Sequence, residues 1–349
     1  MAASLERLTA MADKQAAQRH SIVVQLIRAL LGLWSGFSRV DDPHAVIGMA
    51  ARSATLSLAA TDRTRLLQRS YLTASFRELG VSTLNLPTSL ASYPRTNADP
   101  LEVWQRPVGQ WIWQRRNGGT LEDQRGALTD YLTSLAESDA MIAERDEASR
   151  IYESRDQITG FRRVIHPELS ASGTCGLCIV ASQRLYHRGD LMPIHGDDHC
   201  TTMGITEDFD PGLKLNADDL KTIYAAAGGN AAEQLANTRI TINEHGELGP
   251  VLVKHGDHFR TAKEAGRPEY VKPTPESVAA SSARNLVSAN DALSAAEAHY
   301  DEFLRDHPGS ESVSAPAAIV IERIALFRSL QFLREYQTAA AARAKKLAI

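Results

Sequence analysis

Thirty residues from Leu121 to Arg150 pass without a proline behind Thr120-Leu-Glu-Asp123, which has the form of a helix N-cap followed three residues on by an acid. The pattern predicts one long helix, and the fold has to be arranged around it. Helical spacing recurs before it. Leu5, Leu8 and Met11, then Val23, Leu26, Ile27, Leu30 and Leu31, predict one or two helices between Ser4 and Trp34. Asp41-Asp42-Pro43 supplies an N-cap and a first-turn proline for an Ala-rich segment ending near Leu56. A further helix is expected over Asp62 to Leu79, with Leu66, Leu67, Tyr71 and Phe76 on one side. Ser82 to Pro100 reads as a loop, and Trp104, Val108, Trp111 and Ile112 form a short helical face that stops at Asn117-Gly118-Gly119.

From Thr159 the texture changes to short apolar pieces separated by Gly, Pro and Asp. Phe161–Ile165, Arg184–Tyr186 and Pro250–Val253 are strand candidates, and Asp218–Ala227 and Ala231–Asn237 are short helices. Glu276 to Phe303 resumes a helical pattern, His307-Pro-Gly breaks it, and Ala317 to Lys346 forms a last helix. The expected fold is mainly α with a small α+β module. Its plan is a helical N-terminal region (1–118), a long connecting helix (119–155), a cysteine-bearing α+β core (156–267), a linker (268–275) and a C-terminal helical region (276–349).

With 43% hydrophobic and 23% charged residues, the chain falls outside collagen-like, disulfide-scaffold and disordered classes. Its net charge of −4 is no polycation, yet residues 1–118 hold fourteen Lys/Arg and eight Asp/Glu. That region therefore carries +6 and the remainder −10, a division that points to contacts with unlike partners. The most apolar run, Ile22 to Trp34, contains Gln25 and Arg28 and is shorter than the ~20 residues a bilayer requires. No small-residue cleavage site follows it, so it reads as the buried face of a helix.

The three cysteines all lie in a 26-residue span. Cys175-Gly-Leu-Cys178 is a CxxC, which has thioredoxin-like, zinc-knuckle and simple buried readings. No βαβ alternation precedes it, which argues against the first. Downstream, Pro193-Ile-His195-Gly-Asp-Asp-His199-Cys200 offers a third thiolate and two imidazoles. Cys175, Cys178 and Cys200 with His195 or His199 make a three-cysteine, one-histidine set suited to Zn²⁺. His195 is favoured, because neighbouring His199 and Cys200 would point in different directions. Such a zinc would be structural, since four protein ligands leave no position for a substrate water. Inert thiols, or a catalytic Cys178 with His195, are the other readings.

Other features are weaker. His166-Pro-Glu168 with Ser170 and Ser172 lacks a serine-hydrolase context and reads as a polar loop. Asp190, Asp197, Asp198, Glu207, Asp208 and Asp210 read as a solvated acidic face. Trp104, Trp111 and Trp113 beside Arg106, Arg115 and Arg116 could form a nucleic-acid surface, but Trp104 and Trp111 are seven apart and should pack on one helix face. There is no P-loop, no GxGxxG after a strand and no HExxH.

The string Arg163-Val-Ile-His-Pro-Glu-Leu-Ser170, then Ser172-Gly-Thr-Cys-Gly-Leu-Cys178, Tyr186, Gly189-Asp190-Leu191 and Pro193-Ile-His195 through Cys200 resembles the core of the Mu F-like minor head proteins of tailed bacteriophages. The likeness is to the branch in phages of actinobacteria, whose members are labelled minor capsid protein or capsid maturation protease. Glu247-Leu-Gly-Pro-Val-Leu252 and Gly256 to Phe259 resemble the segment that closes this core, so the match covers about residues 155–260. The family commonly has two cysteines one residue apart after the histidine. Here the first of those positions is Asp198, itself an acceptable zinc ligand.

The resemblance implies a head-assembly protein made in the host cytoplasm and kept in the virion near the portal. Its partners would be the portal protein and the major capsid or scaffold protein, with packaged DNA reached through the basic N-terminal region and no membrane involved. Such proteins resemble assembly and DNA-delivery factors more than enzymes. The alternative is a capsid maturation protease. In the last helix, Ile319, Ile321, Ile324, Leu326, Phe327, Leu330, Phe332 and Leu333 exceed one apolar stripe and predict burial in the fold or against another subunit.

Overall fold

The computed structural model describes residues 4–95, 98–169, 176–195, 198–227, 240–254, 262–264, 269–312 and 314–348. The fold is mainly α with a small α+β module. Ser4 to Trp34 forms one helix, α1 (Leu5–Trp34), with Leu26, Leu30 and Trp34 of its apolar run buried. The two helices expected between Asp42 and Leu79 are a single one, α2 (Pro43–Glu78). Asp42 Oδ1 accepts from the His44 and Ala45 amides at 2.9 and 3.2 Å, capping the start. No Gly or Pro separates Leu56 from Asp62, and Ser57, Leu58, Ala60 and Thr61 are buried, so nothing interrupts the helix there.

Asp99 and Pro100 start α3 (Pro100–Arg116) in the same way, and Thr120 and Asp123 close a reciprocal capping box on α4 (Leu121–Glu153). The long helix is present, but it is not amphipathic along its second half. Every residue from Asp139 to Ser149 is buried. α2 lies at the centre, against α1, α3, α4 and the last helix. After the α+β module, Thr274 and Pro275 start α7 (Pro275–Asp306), which pairs with α8 (Ala317–Leu347). Gly48 is where α2 meets α8, for a Cβ there would lie 2.6 Å from Ser329 Cβ and 2.7 Å from its Cα.

The module begins with β1 (Gly160–Val164) and passes a 3-10 turn at Pro167–Leu169. It continues through α5 (Gly176–Ser182), β2 (Tyr186–His187), β3 (Thr201–Ile205) and α6 (Pro211–Ala227). β1 is the central strand of an antiparallel sheet ordered β2-β1-β3, with Arg162 opposite Met203 and Val164 opposite Thr201. β4 (Ile240–His245) and β5 (Gly249–Lys254) form a hairpin, and Ile194 bridges to Val251. β3 was not expected because Thr-Thr-Met-Gly-Ile is buried throughout and shows no alternation. The helix expected over Ala231–Asn237 lies outside the described residues.

Two cores result. One is helical and joins Leu30 and Trp34 of α1, Leu58 of α2, Trp104 of α3, Leu132 of α4, and Leu330 and Leu333 of α8. The other joins Leu8, Phe76, Ile142 and Tyr152 to Phe161, Tyr186, Met203 and Val251 of the module. Tyr152, Phe161 and Tyr186 stack in series at 5.3 Å centroid spacing. Among the described residues, no helix is long and apolar enough to cross a membrane.

Ion pairs revise two expectations. Asp198 and Asp210 are not part of a solvated acidic face, because Arg163 holds the first at 2.7 Å with neither side chain exposed and Arg162 holds the second at 2.7 Å. The basic front is largely neutralised within the fold: Arg19 pairs with Glu144, Arg69 with Glu147, Arg95 with Asp139, and Arg106 with Glu247. Trp104 and Trp111 are buried together while Trp113 is exposed.

Candidate metal centre

Strand alternation sorts the side chains at the end of the small sheet. Successive residues face opposite sides, so Ile165 and Cys200 turn into one cluster with Cys178 while their neighbours His166 and Thr201 face away. Cys178 comes from α5, whose run Gly-Leu-Cys-Ile-Val-Ala-Ser buries Cys178, Ile179 and Ala181. His195 and Asp198 come from the connection between β2 and β3, which is anchored where Leu252 donates its amide to the Ile194 carbonyl at 2.9 Å.

These elements bring the Cys178, Asp198 and Cys200 donors to one place and set His195 beside the first two. Cys178 Sγ lies 2.8 Å from His195 Nε2 and 3.9 Å from Asp198 Oδ1. Asp198 Oδ2 is 4.0 Å from the same His195 Nε2. Cys178 Sγ, Cys200 Sγ and an Asp198 carboxylate oxygen all fall within 4.8 Å of one another, and all three residues are buried. This buried Cys-Asp-Cys group could bind a metal ion. Its donor chemistry, two thiolates and a carboxylate with an imidazole adjoining, fits Zn²⁺.

Arg163 sets the electrostatics. It is fully buried on β1, donates through Nη1 to Asp198 Oδ2 at 2.7 Å, and gives Nη2 to the Pro193 carbonyl. Burial by itself would raise the Asp198 pKa, but the Arg163 charge, with His195 and the Cys200 amide, holds it well below the usual carboxylate range. Burial likewise opposes the Arg163 charge, and Asp198 with the two cysteines outweighs it. Asn216 of α6 fixes the strand behind, accepting from the Ile165 amide at 3.0 Å and donating to the Arg163 carbonyl at 2.7 Å. Arg19 of α1 reaches in from the helical side to the Cys200 carbonyl at 2.9 Å.

The sequence-selected residues divide accordingly. Cys178, Asp198 and Cys200 come together, and His195 meets the first two. Cys175, and with it Ser170 and Ser172, lies outside the described residues. His199 faces α1, edge-on to His20 at a centroid distance of 5.7 Å. A cavity of about 50 Å³ between α1 and α4 reaches Asp198 and His199. Arg19 and Asn216 carry no motif, and Arg163, although it opens the string that carries the resemblance, shows no sign in the sequence of its contact with Asp198. Compared with family models, curated proteins and solved structures, the chain has no match.

Proposed function

We propose that this chain is a minor head protein of the Mu F-like kind, a structural and assembly factor that docks on the portal or procapsid interior. Its cysteine module is a knob ordered by one structural zinc. The head-protein reading rests on the resemblance carried by Arg163 to Cys200. The structural part given to the module rests on one observation, that Asp198 approaches the same His195 nitrogen that meets Cys178.

In a catalytic relay the acid holds the ring nitrogen opposite the one facing the nucleophile, which fixes the tautomer. Here thiol, imidazole and carboxylate converge on one side, as ligands of a common ion do. Cys178, His195 and Cys200 would hold the zinc, with Asp198 or Cys175 as the fourth ligand. Two thiolates and a carboxylate around a dication leave one negative charge, which the buried Arg163 balances. The zinc would supply cross-linking between α5 and the start of β3.

One feature supports docking. Ile321, Ile324 and Phe327 leave an apolar stripe exposed on α8, at 67%, 48% and 41% exposure, while Leu326, Leu330 and Leu333 face inward. Helix ridges of this kind seat in grooves of partner proteins. Co-purification of the chain with portal protein from disrupted particles is the expected result, and its absence from both procapsids and mature virions would end the reading. For the metal, purified protein should hold one zinc and Cys178→Ser should lose it.

The second reading, a capsid maturation protease, is favoured by the 2.8 Å contact between Cys178 and His195, which is nucleophile-to-base distance. Against it, Asp198 lies beside the His195 nitrogen that faces Cys178, not behind the ring where a relay acid would sit. Loss of capsid or scaffold cleavage in a folded Cys178→Ser variant would decide for the enzyme.

A further inference from the structure

On the opposite face of the strand ends from the cysteines, His166 sits between two carboxylates. Its side chain is 1% exposed, yet its Nδ1 lies 3.3 Å from Glu168 Oε1 and 3.6 Å from Asp13 Oδ1, both on residues whose side chains are more than half exposed. One ligand atom from each of the three falls within 4.8 Å of the others. They come from three separate places: α1, the end of β1 and the 3-10 turn. Nothing in the cysteine centre uses them.

The far side of the ring decides what its near side offers. His166 Nε2 is 3.0 Å from Thr201 Oγ1. The Tyr71 hydroxyl donates to the Thr202 carbonyl at 2.9 Å, which holds this strand end against α2. In the tautomer where Thr201 Oγ1 accepts from Nε2–H, Nδ1 turns a lone pair between the two carboxylates, and a cation there takes the place of the proton that Nδ1 would otherwise share with Glu168. Three electron-rich atoms then face one point, an arrangement that calls for a cation. A histidine whose second nitrogen is fixed by a hydrogen bond is also the usual preparation of a metal ligand. A tetrahedral or octahedral ion with arms of about 2.1 Å sets its neighbouring ligands about 3.0–3.4 Å apart, close to the spacings around Nδ1.

We propose that Asp13, His166 and Glu168 form a second cation site, separate from the cysteine centre, that takes a divalent first-row transition ion through one imidazole and two carboxylates. Oxygen-rich donors select a harder ion than the thiolates do, and the imidazole favours a transition metal over Ca²⁺ or Mg²⁺. The half-exposed carboxylates leave the remaining positions to water, so the ion exchanges with solvent. Its effect is to clip the first turns of α1 to the α+β module.

Mn²⁺ is the probe, because it is a poor partner for thiolates and its free form is counted by electron paramagnetic resonance. The full chain should bind one Mn²⁺. The exposed carboxylates permit Asp13→Asn and Glu168→Gln without loss of fold, checked by circular dichroism, and each should weaken Mn²⁺ at least about tenfold. Cys200→Ser should leave Mn²⁺ binding intact. The proposal is overturned if wild type takes up no Mn²⁺, as when His166 is merely ion-paired with its neighbours. It is equally overturned if the carboxamide variants bind as wild type, or if Cys200→Ser abolishes binding. Because zinc content is read separately, failure here does not touch the cysteine centre, nor the reverse.

Discussion

Arg19 of α1 donates through one nitrogen, Nη1, to both Glu144 Oε2 at 2.7 Å and the Cys200 carbonyl at 2.9 Å. The arginine and glutamate side chains are 3% and 0% exposed, so a single buried cation ties the first helix, the long helix and the candidate metal centre together. Arg19→Ala leaves Glu144 charged and unpaired in the interior. The expected loss is about 3–5 kcal/mol, read from denaturant midpoints. Adding Glu144→Ala should recover part of it, and a double variant as unstable as the sum of its singles would show that the pair is not coupled.

Gly48→Ala tests the contact between α2 and α8. In an exposed helix interior this change stabilises by up to ~1 kcal/mol. Here the new methyl would sit 2.6 Å from Ser329 Cβ, so overpacking should win and the net change should be a loss of about 1–3 kcal/mol. Faster limited proteolysis between α7 and α8 is the accompanying sign. A gain in stability would mean that the α7–α8 pair shifts freely.

His44 and His299 stack face to face, with centroids 3.8 Å apart and planes 9° from parallel. Burial first, then the His299 ring, pushes the His44 pKa below its ordinary value, against the opposing pull of Asp42. The folded state therefore binds its proton less readily than the unfolded chain. The stability this contributes is fully present above about pH 6.5 and is lost as pH falls below it. Thermal midpoints should drop between pH 7.5 and 5.5, and His299→Gln should flatten that drop. An unchanged slope would remove the pair from the pH response.

The tryptophans give an internal comparison. Trp104 has no exposed surface and packs in the helical core, whereas Trp113 is 57% exposed. Trp104→Ala should cost about 3–5 kcal/mol by leaving a cavity. Trp113→Ala should stay within ~0.5 kcal/mol, as surface changes do. Equal losses would place Trp113 in contacts that its exposure does not show.

Much of the helical frame is legible in local chemistry. Asp42-Pro43, Thr120 with Asp123, and the break at His307-Pro-Gly each mark a helix end through atoms a few residues apart. The second half of α4 is not legible, because Glu144, Arg145, Asp146 and Glu147 look like a solvent face until their partners are known. Those partners are remote in sequence, as Arg19 and Arg69 are. The candidate metal centre divides likewise. Ligand type and spacing single out Cys178 and His195. Arg163 reaches Asp198 across 35 residues and Arg19 reaches Cys200 across 181, so neither contact leaves a local trace.

The pairing of front-half arginines with later acids also bears on how the chain is made. Synthesis delivers Arg19, Arg69 and Arg95 well before Glu144, Glu147 and Asp139. The nascent helices therefore emerge with cations that have no interior to enter, since burying them unpaired is prohibitive. Consolidation of the first three helices has to wait for α4 to leave the ribosome. A fragment ending near residue 118 should accordingly be soluble, helical in part and without fixed packing, and supplying α4 in trans is the addition that should order it.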